Sequence, residues 1–204
     1  MTMNKLGIDV SHWQGSFDWN KARQAGIQFA FIKATQGNTI LDDRFNRNWI
    51  ESQLAGVPRG CYHFYDPRLN PILQADWLLK TCPEPGELGY VLDAEALKTK
   101  IPVKIPVTYA TDLRIFCERI EQKTQTQPII YTAYSFWTTN CSQATWARRY
   151  ALWIANYNNI APMTPLPWGP DGWEFWQFTD KGIGKLYGTD ASSKQIDLDV
   201  WRQR

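Results

Sequence analysis

Short apolar runs rich in β-branched and aromatic residues recur along this chain at 6–11, 29–35, 60–65, 90–95, 128–133, 151–157 and 173–179, and a weaker one at 196–201 closes it. Several are apolar at consecutive positions, the pattern of strands covered on both faces in a parallel sheet flanked by helices. Between the early runs the period becomes helical. Trp19, Ala22 and Ala25 share one face ahead of Gly26, and Phe45, Trp49 and the Leu54-Ala55 pair do the same ahead of Gly56. Asn70-Pro71 opens a helix over 72–82 with a cap and a proline at the first helical position. Leu113, Phe116, Cys117 and Ile120 stripe the next helix, and a short, poorly patterned segment follows near 142–149. Beyond that point the helical signal lapses: Pro162, Pro165, Pro167 and Pro170 mark 158–172 as irregular loop. Eight strands with helices that fail near the end predict an α/β chain rolled into a closed or nearly closed, irregular, TIM-like β/α barrel. A doubly wound open sheet is the alternative, but no glycine-rich phosphate loop follows the first run.

The 204 residues suffice for a sizeable core and fit one domain spanning 1–204, with no repeat, low-complexity tract or appended wall-binding module. No run is long enough to cross a membrane. Residues 1–5 lead straight into the first run, so no signal peptide is visible; prior removal or phage-type release would then bring the protein to its site of action. A net charge of +2 is too small to argue for nucleic acid and suits an anionic polymer such as a bacterial wall. The basic loop Lys98-Thr99-Lys100-Ile101-Pro102-Val103-Lys104 reads as a solvated turn or as a hold on such a polymer. Cys61, Cys82, Cys117 and Cys141 match no metal knuckle or redox pair. Buried free thiols are expected, with a Cys82–Cys141 disulfide as the alternative.

The chemistry lies where acids interrupt the runs. Asp9 sits in Gly7-Ile8-Asp9-Val10-Ser11, and Asp93 and Glu95 in Tyr90-Val91-Leu92-Asp93-Ala94-Glu95. Burying a charge in a strand is costly, so each needs a reason. Two residues apart, Asp93 and Glu95 point to one side of an extended strand. Paired acids at a strand end are the material of acid/base chemistry on a glycosidic bond, because neighbouring like charges let one carboxyl keep its proton. Glu95, with the longer reach, is the expected general acid; Asp93 orients or tunes it, and Asp9 supplies supporting charge. Asp93 as a structural carboxylate and Asp9 as a turn cap are the plainer alternatives. Asp197 and Asp199 repeat the pattern on the last run, which barrel closure would return beside Asp9; protection of a sheet edge competes as an explanation.

The 11 Trp, 9 Tyr and 9 Phe exceed what a core of this size needs and suit a groove that stacks on sugar faces. Trp13, Tyr62, His63, Tyr65, Tyr131, Trp153, Tyr157, Trp176 and Gln177 lie within or just after strands, and Asn156 and Gln177 offer amides for N-acetyl or hydroxyl groups. Each ring alone is as well explained by the core. His12 and His63 are the only histidines, and no His-Glu-x-x-His arrangement exists, so no metal or other cofactor is expected.

Six ordered stretches resemble glycoside hydrolase family 25, the lysozymes of the Chalaropsis type. They are Gly7-Ile8-Asp9-Val10-Ser11-His12-Trp13-Gln14-Gly15, Phe31-Ile32-Lys33-Ala34-Thr35-Gln36-Gly37, Tyr62-His63-Phe64, Leu92-Asp93-Ala94-Glu95, Leu152-Trp153-Ile154-Ala155-Asn156-Tyr157 and Trp176-Gln177-Phe178. The resemblance implies an N-acetylmuramidase cutting the β-1,4 bond between N-acetylmuramic acid and N-acetylglucosamine in peptidoglycan. It implies a barrel of about five β/α units followed by strands without regular helices. It puts the family's acid on Glu95, its partner on Asp93 and its first-strand aspartate on Asp9. The last-strand aspartate falls on Asp197, with Asp199 where the family commonly carries Asn, so Asp199 is kept as a second groove candidate. Participation of the substrate's 2-acetamido oxygen, steadied by Asp93, is the expected mechanism; a water activated by an aspartate is the rival. A monomer acting on glycan strands outside the producing cell, with no membrane insertion, is expected. A non-catalytic glycan-binding module and a hydrolase of another N-acetylglucosamine polymer remain as other functions.

Overall fold

The computed structural model describes residues 3–97, 99–100, 102–157, 160–190 and 194–203; Lys98 and Ile101 of the basic loop lie outside this set. Nine strands form one sheet: β1 (Lys5–Val10), β2 (Phe29–Gln36), β3 (Ile40–Leu41), β4 (Arg59–Phe64), β5 (Gly89–Ala94), β6 (Ile129–Ala133), β7 (Leu152–Ala155), β8 (Trp173–Ile183) and β9 (Gln195–Trp201). Their order is β1-β9-β8-β7-β6-β5-β4-β2-β3, and β1 also pairs with β2, so all but β3 close into a barrel. The two-residue β3 hangs antiparallel on β2. The irregular barrel read from the sequence is the fold observed.

Within the barrel one strand alone runs against the rest, and its direction matters. β1, β2 and β4 to β8 run parallel, whereas β9 is antiparallel to both β8 and β1. A parallel return needs a long crossover, and among the described residues only the four-residue helix α6 (Gly184–Tyr187) lies between β8 and β9. Its reversed direction carries the beginning of β9 to the end of the barrel where the other strands finish, setting Asp197 opposite Asp9.

The alternation along each strand separates two cores. Outward residues such as Ile8, Val10, Ile32, Leu92 and Ile130 pack under helices α1 (Trp19–Gln24), α2 (Phe45–Leu54), α3 (Pro71–Thr81) and α4 (Tyr109–Thr124). Inward residues Phe29, Phe31, Tyr62, Val91, Ile129, Tyr131, Trp153 and Phe175 fill the barrel. Phe31 stacks on Trp153 at 4.3 Å between ring centroids, and Phe175 on Trp201 at 5.4 Å. Gly7 makes room for this layer: a Cβ there would stand 2.3 Å from the Phe29 ring. The α3 cap forms as its sequence predicts, with the Asn70 side chain accepting from the amides of Ile72 and Leu73 and Pro71 in the first turn.

Two expectations change, and the expectation of buried free thiols holds. Helix α5 (Tyr134–Asn140) follows β6 directly, and 142–149 holds only a 3-10 stretch, Thr145–Arg149. Residues 134–140 are poor intrinsic helix formers; the helix is held by fully buried Trp137, which packs 4.8 Å from Trp168. β8 continues past 179 to Ile183 because β9 offers a partner along that length. All four cysteines are free and buried, including Cys82 and Cys141, so neither is the exposed half of a disulfide. Among the described residues no helix is long and apolar enough to cross a membrane.

Gly7→Ala forces a methyl group into the Phe29 ring and should cost about 1–3 kcal/mol of stability. Urea denaturation checks this; an unchanged midpoint would mean that the ring layer has slack.

Candidate active site

At the barrel mouth the inward line of each strand switches from ring to polar group. Phe31 is followed two residues on by Lys33, Val91 by Asp93 and then Glu95, and Phe175 by Gln177, while Gly7 is followed by Asp9. The ring layer thus forms a floor, and the polar groups surround a groove of about 570 Å³ above it. Asp9, Asp93, Glu95 and Asp197 all line this groove, with Trp13, Tyr62, Tyr131, Trp153 and Gln177. Asp9 and Asp93 are buried, whereas Glu95, just beyond the end of β5, is partly open to solvent.

Gln177 joins the parts. Its Nε2 donates to Asp9 Oδ2 at 2.7 Å and to Asp197 Oδ2 at 3.2 Å. Its Oε1 accepts from the Tyr131 hydroxyl at 2.9 Å and the Tyr157 hydroxyl at 3.1 Å. Both tyrosine hydroxyls donate, which fixes the amide so that its nitrogen faces the acids. Burial, with neighbouring acids adding to it, pushes the Tyr62, Tyr131 and Tyr157 hydroxyls up, so they remain protonated donors.

Burial also raises the Asp9 carboxyl well above the usual range; Asp197, Asp199 and Asp93 raise it further, and the Gln177 hydrogen bond only partly offsets this. Lys33 is the buried cation of the groove. Burial lowers its ammonium, while Asp93, Asp42 and Glu95 favour the charge, and Nζ donates to Gln36 Oε1 at 2.9 Å. Trp13 stands 74% exposed on a 3-10 turn (His12–Gln14) tied down by a Ser11–Gln14 capping box, which presents its ring at the mouth. The His12 ring, 4.5 Å from Trp13, is anchored through Nδ1 to buried Asp42 at 2.7 Å. His12, Asp42 and Asp43 bring one potential metal-ligand atom each within 4.8 Å of one another. Asp42 already accepts from the His12 and Arg44 amides as well as the His12 ring, which accounts for the cluster without an ion.

Strand parity removes four candidates from the groove, and depth along the strand removes a fifth. Tyr62 faces inward, so His63 faces out, fully buried between Thr35 Oγ1 at 2.8 Å and Gln74 Oε1 at 3.1 Å. Tyr65 is fully buried in the outer core against Tyr109 and Phe116. Trp176, beside inward Gln177, packs outside near Trp173 and Phe178, and its Nε1 donates to the Asn156 carbonyl. Asn156 spends its Oδ1 on the Met163 amide. Asp199 shares a face with Asp197 but lies deeper, fully buried, because β9 enters from the mouth. Tyr157 is half exposed at the rim and touches the site through its hydroxyl. Lys33, Gln36, Phe64, Arg68 and Leu97 line the groove without having been singled out from the sequence. For Lys33 the signal was present: it interrupts an apolar run just as Asp9 does.

A mixed barrel whose mouth carries four acids, exposed rings and one buried cation defines a glycoside hydrolase site, and comparison with known proteins agrees. The family model for glycosyl hydrolases family 25 matches residues 8–185. Lysozyme M1 of Streptomyces globisporus is 35% identical over 201 residues, covering 92% of this chain and 66% of that protein. The crystal structure of a bacterial lysozyme from Streptomyces coelicolor superposes with a TM-score of 0.86 at 31% identity, covering all of this chain and 94% of the other. The N,O-diacetylmuramidase of Chalaropsis sp is more distant, 27% identical over 190 residues, covering 85% of this chain and 87% of that protein. The chain belongs to glycosyl hydrolases family 25. It is a lysozyme-type glycosidase directed at a peptidoglycan-like substrate.

Two predictions follow from the geometry. His63 is held down to about 4, chiefly by burial, against an ordinary value of 6.5. Its neutral form therefore contributes fully above pH 6.5, and stability falls as the pH drops from there towards 4, by up to about 3 kcal/mol. Urea titrations of the protein and of His63→Gln across that window check this, since the variant should lose that part of the slope. Gln177→Leu removes both amide donors from the acids and strands two tyrosine hydroxyls, which should cost about 1–3 kcal/mol; a neutral effect would show the bridge to be incidental.

Proposed function

We propose that this chain is an N-acetylmuramidase that hydrolyses the β-1,4 bond between N-acetylmuramic acid and N-acetylglucosamine in peptidoglycan, with Glu95 as general acid. The observation that carries the reading is the position of Glu95: partly solvated, two residues beyond buried Asp93 on the inward line of β5, and facing a groove that also holds Asp9 and Asp197. The names of the relatives, lysozyme and N,O-diacetylmuramidase, support the choice of bond.

In this reading the glycan lies across the mouth, with a sugar face against Trp13. Glu95 gives its proton to the bridging oxygen as the bond from that oxygen to the anomeric carbon breaks. Asp93 accepts from the N–H of the 2-acetamido group, turning its carbonyl oxygen towards the anomeric carbon, where it forms the new bond. Water then opens that ring and returns a proton to Glu95. Asp9 and Asp197 supply negative potential to the developing positive charge, and Lys33 keeps Asp93 ionised beside the proton-carrying Glu95. No cofactor is required. The partner is the glycan strand, met by a monomer outside the producing cell.

Glu95→Gln keeps the shape and removes the proton. Wall-lytic activity should fall by about 10²-fold or more while the melting temperature is retained. Normal clearing of peptidoglycan by the folded variant would end the assignment. Wall binding by the unsubstituted protein without new reducing ends would favour a glycan-binding module, and equal turnover of chitin would favour a broader N-acetylglucosaminide hydrolase.

A further inference from the structure

Beneath the groove two acids share a compartment that the reaction above leaves unused. Asp199 is fully buried, beside Gly7 of β1 and Gln177 of β8 in the strand register. Its Oδ1 accepts from the Trp153 indole N–H at 2.8 Å. Its Oδ2 is sealed from solvent with no protein donor on it. The carboxyl within side-chain hydrogen-bonding reach is that of Asp9, itself held on the other side by Gln177. Two carboxylates in such contact repel unless a proton lies between them.

We propose that Asp9 and Asp199 share one proton in the resting enzyme, making Asp199 a positioning residue that locks the Asp9 carboxyl towards the groove. The groups facing the pair are Trp153 from β7, Gln177 from β8, Asp197 from β9 and, towards Asp9, Asp93 from β5, Tyr62 from β4, Tyr131 from β6 and Tyr157 beyond β7. None of these is a cation. Lys33 is engaged with Asp93, Asp42 and Glu95. Burial raises both members of the pair and Asp197 adds to each, while for Asp199 the Trp153 indole and the hydrogen bond with Asp9 offset this in part. The consequence is electrostatic: the pair presents one negative charge, held in a fixed direction, where two free carboxylates would present two and swing apart. Loss of the shared proton at alkaline pH would release Asp9 from its orientation and set an upper limit on the active pH range.

Asp199→Asn tests this in the intact protein, because the amide keeps an oxygen for Trp153 and gives Asp9 a permanent N–H donor. Isotope-edited infrared spectra of Glu95→Gln, which lacks the proton-carrying acid of the groove, should show near neutral pH a protonated carboxyl band that shifts in heavy water and disappears when Asp199→Asn is added. A carboxyl raised on folding weakens stability as the pH climbs above its unfolded value, so the variant should melt several degrees higher near neutral pH, with the gap closing towards pH ~4. The alkaline limb of kcat should move up by about one pH unit or more, with kcat at the optimum changed by less than about threefold. Absence of a protonated carboxyl in Glu95→Gln near neutral pH overturns the proposal, and so does an unmoved alkaline limb combined with a lowered melting temperature in Asp199→Asn. If Asp199→Asn does not fold, the infrared spectrum of Glu95→Gln alone still decides. The proposal rests on Asp9 serving the glycosidase site, but the infrared and melting readouts need no activity, so they fail independently of that reading.

Discussion

Everything at the mouth of this barrel depends on what fills it below. Phe29, Phe31, Trp153, Phe175 and Trp201 pack ring against ring across the interior. A packed apolar floor under a ring of acids does two things. It removes solvent from one side of Asp9, so charge there is expensive and a proton is retained. It also fixes the height at which the next inward residue of every strand emerges, so groups from strands distant in the chain arrive at one level.

The acids would repel one another without a counterweight, and the structure supplies two of different kinds. Gln177 is an uncharged one: a single amide, with all four of its hydrogen-bonding positions in use, ties Asp9 to Asp197 and is itself oriented by Tyr131 and Tyr157. Lys33 is a charged one, set on the side of Asp93 and Glu95. The groove is therefore divided, with the shared and amide-bridged acids on the β8–β9–β1 side and the acids beside an ammonium on the β2–β5 side. That division lets neighbouring carboxyls hold different protonation states in one small volume, which acid catalysis on a glycosidic bond requires.

Much of this was legible in the residues, and the remainder was not for identifiable reasons. The strands announce themselves as apolar runs because both faces are buried, and Asp9, Asp93 and Glu95 are conspicuous because they interrupt such runs. Parity is harder to read. His63 and Trp176 sit next to inward residues and point away from the groove, and a run apolar on both faces carries no mark of which face is inside. Helix α5 escaped because buried Trp137, not local propensity, holds it. The direction of β9 is a property of the connection, and it decides that Asp197 meets the groove while Asp199 lies beneath it. Lys33 was visible by the same logic as the acids.

The measurement closest to the central claim is the identity of the sugar at the new reducing end. Defined peptidoglycan digested by the unsubstituted protein, reduced with borohydride and analysed by mass spectrometry, should yield chains ending in reduced N-acetylmuramic acid. Chains ending in reduced N-acetylglucosamine, or free amino groups without new reducing ends, would contradict the account.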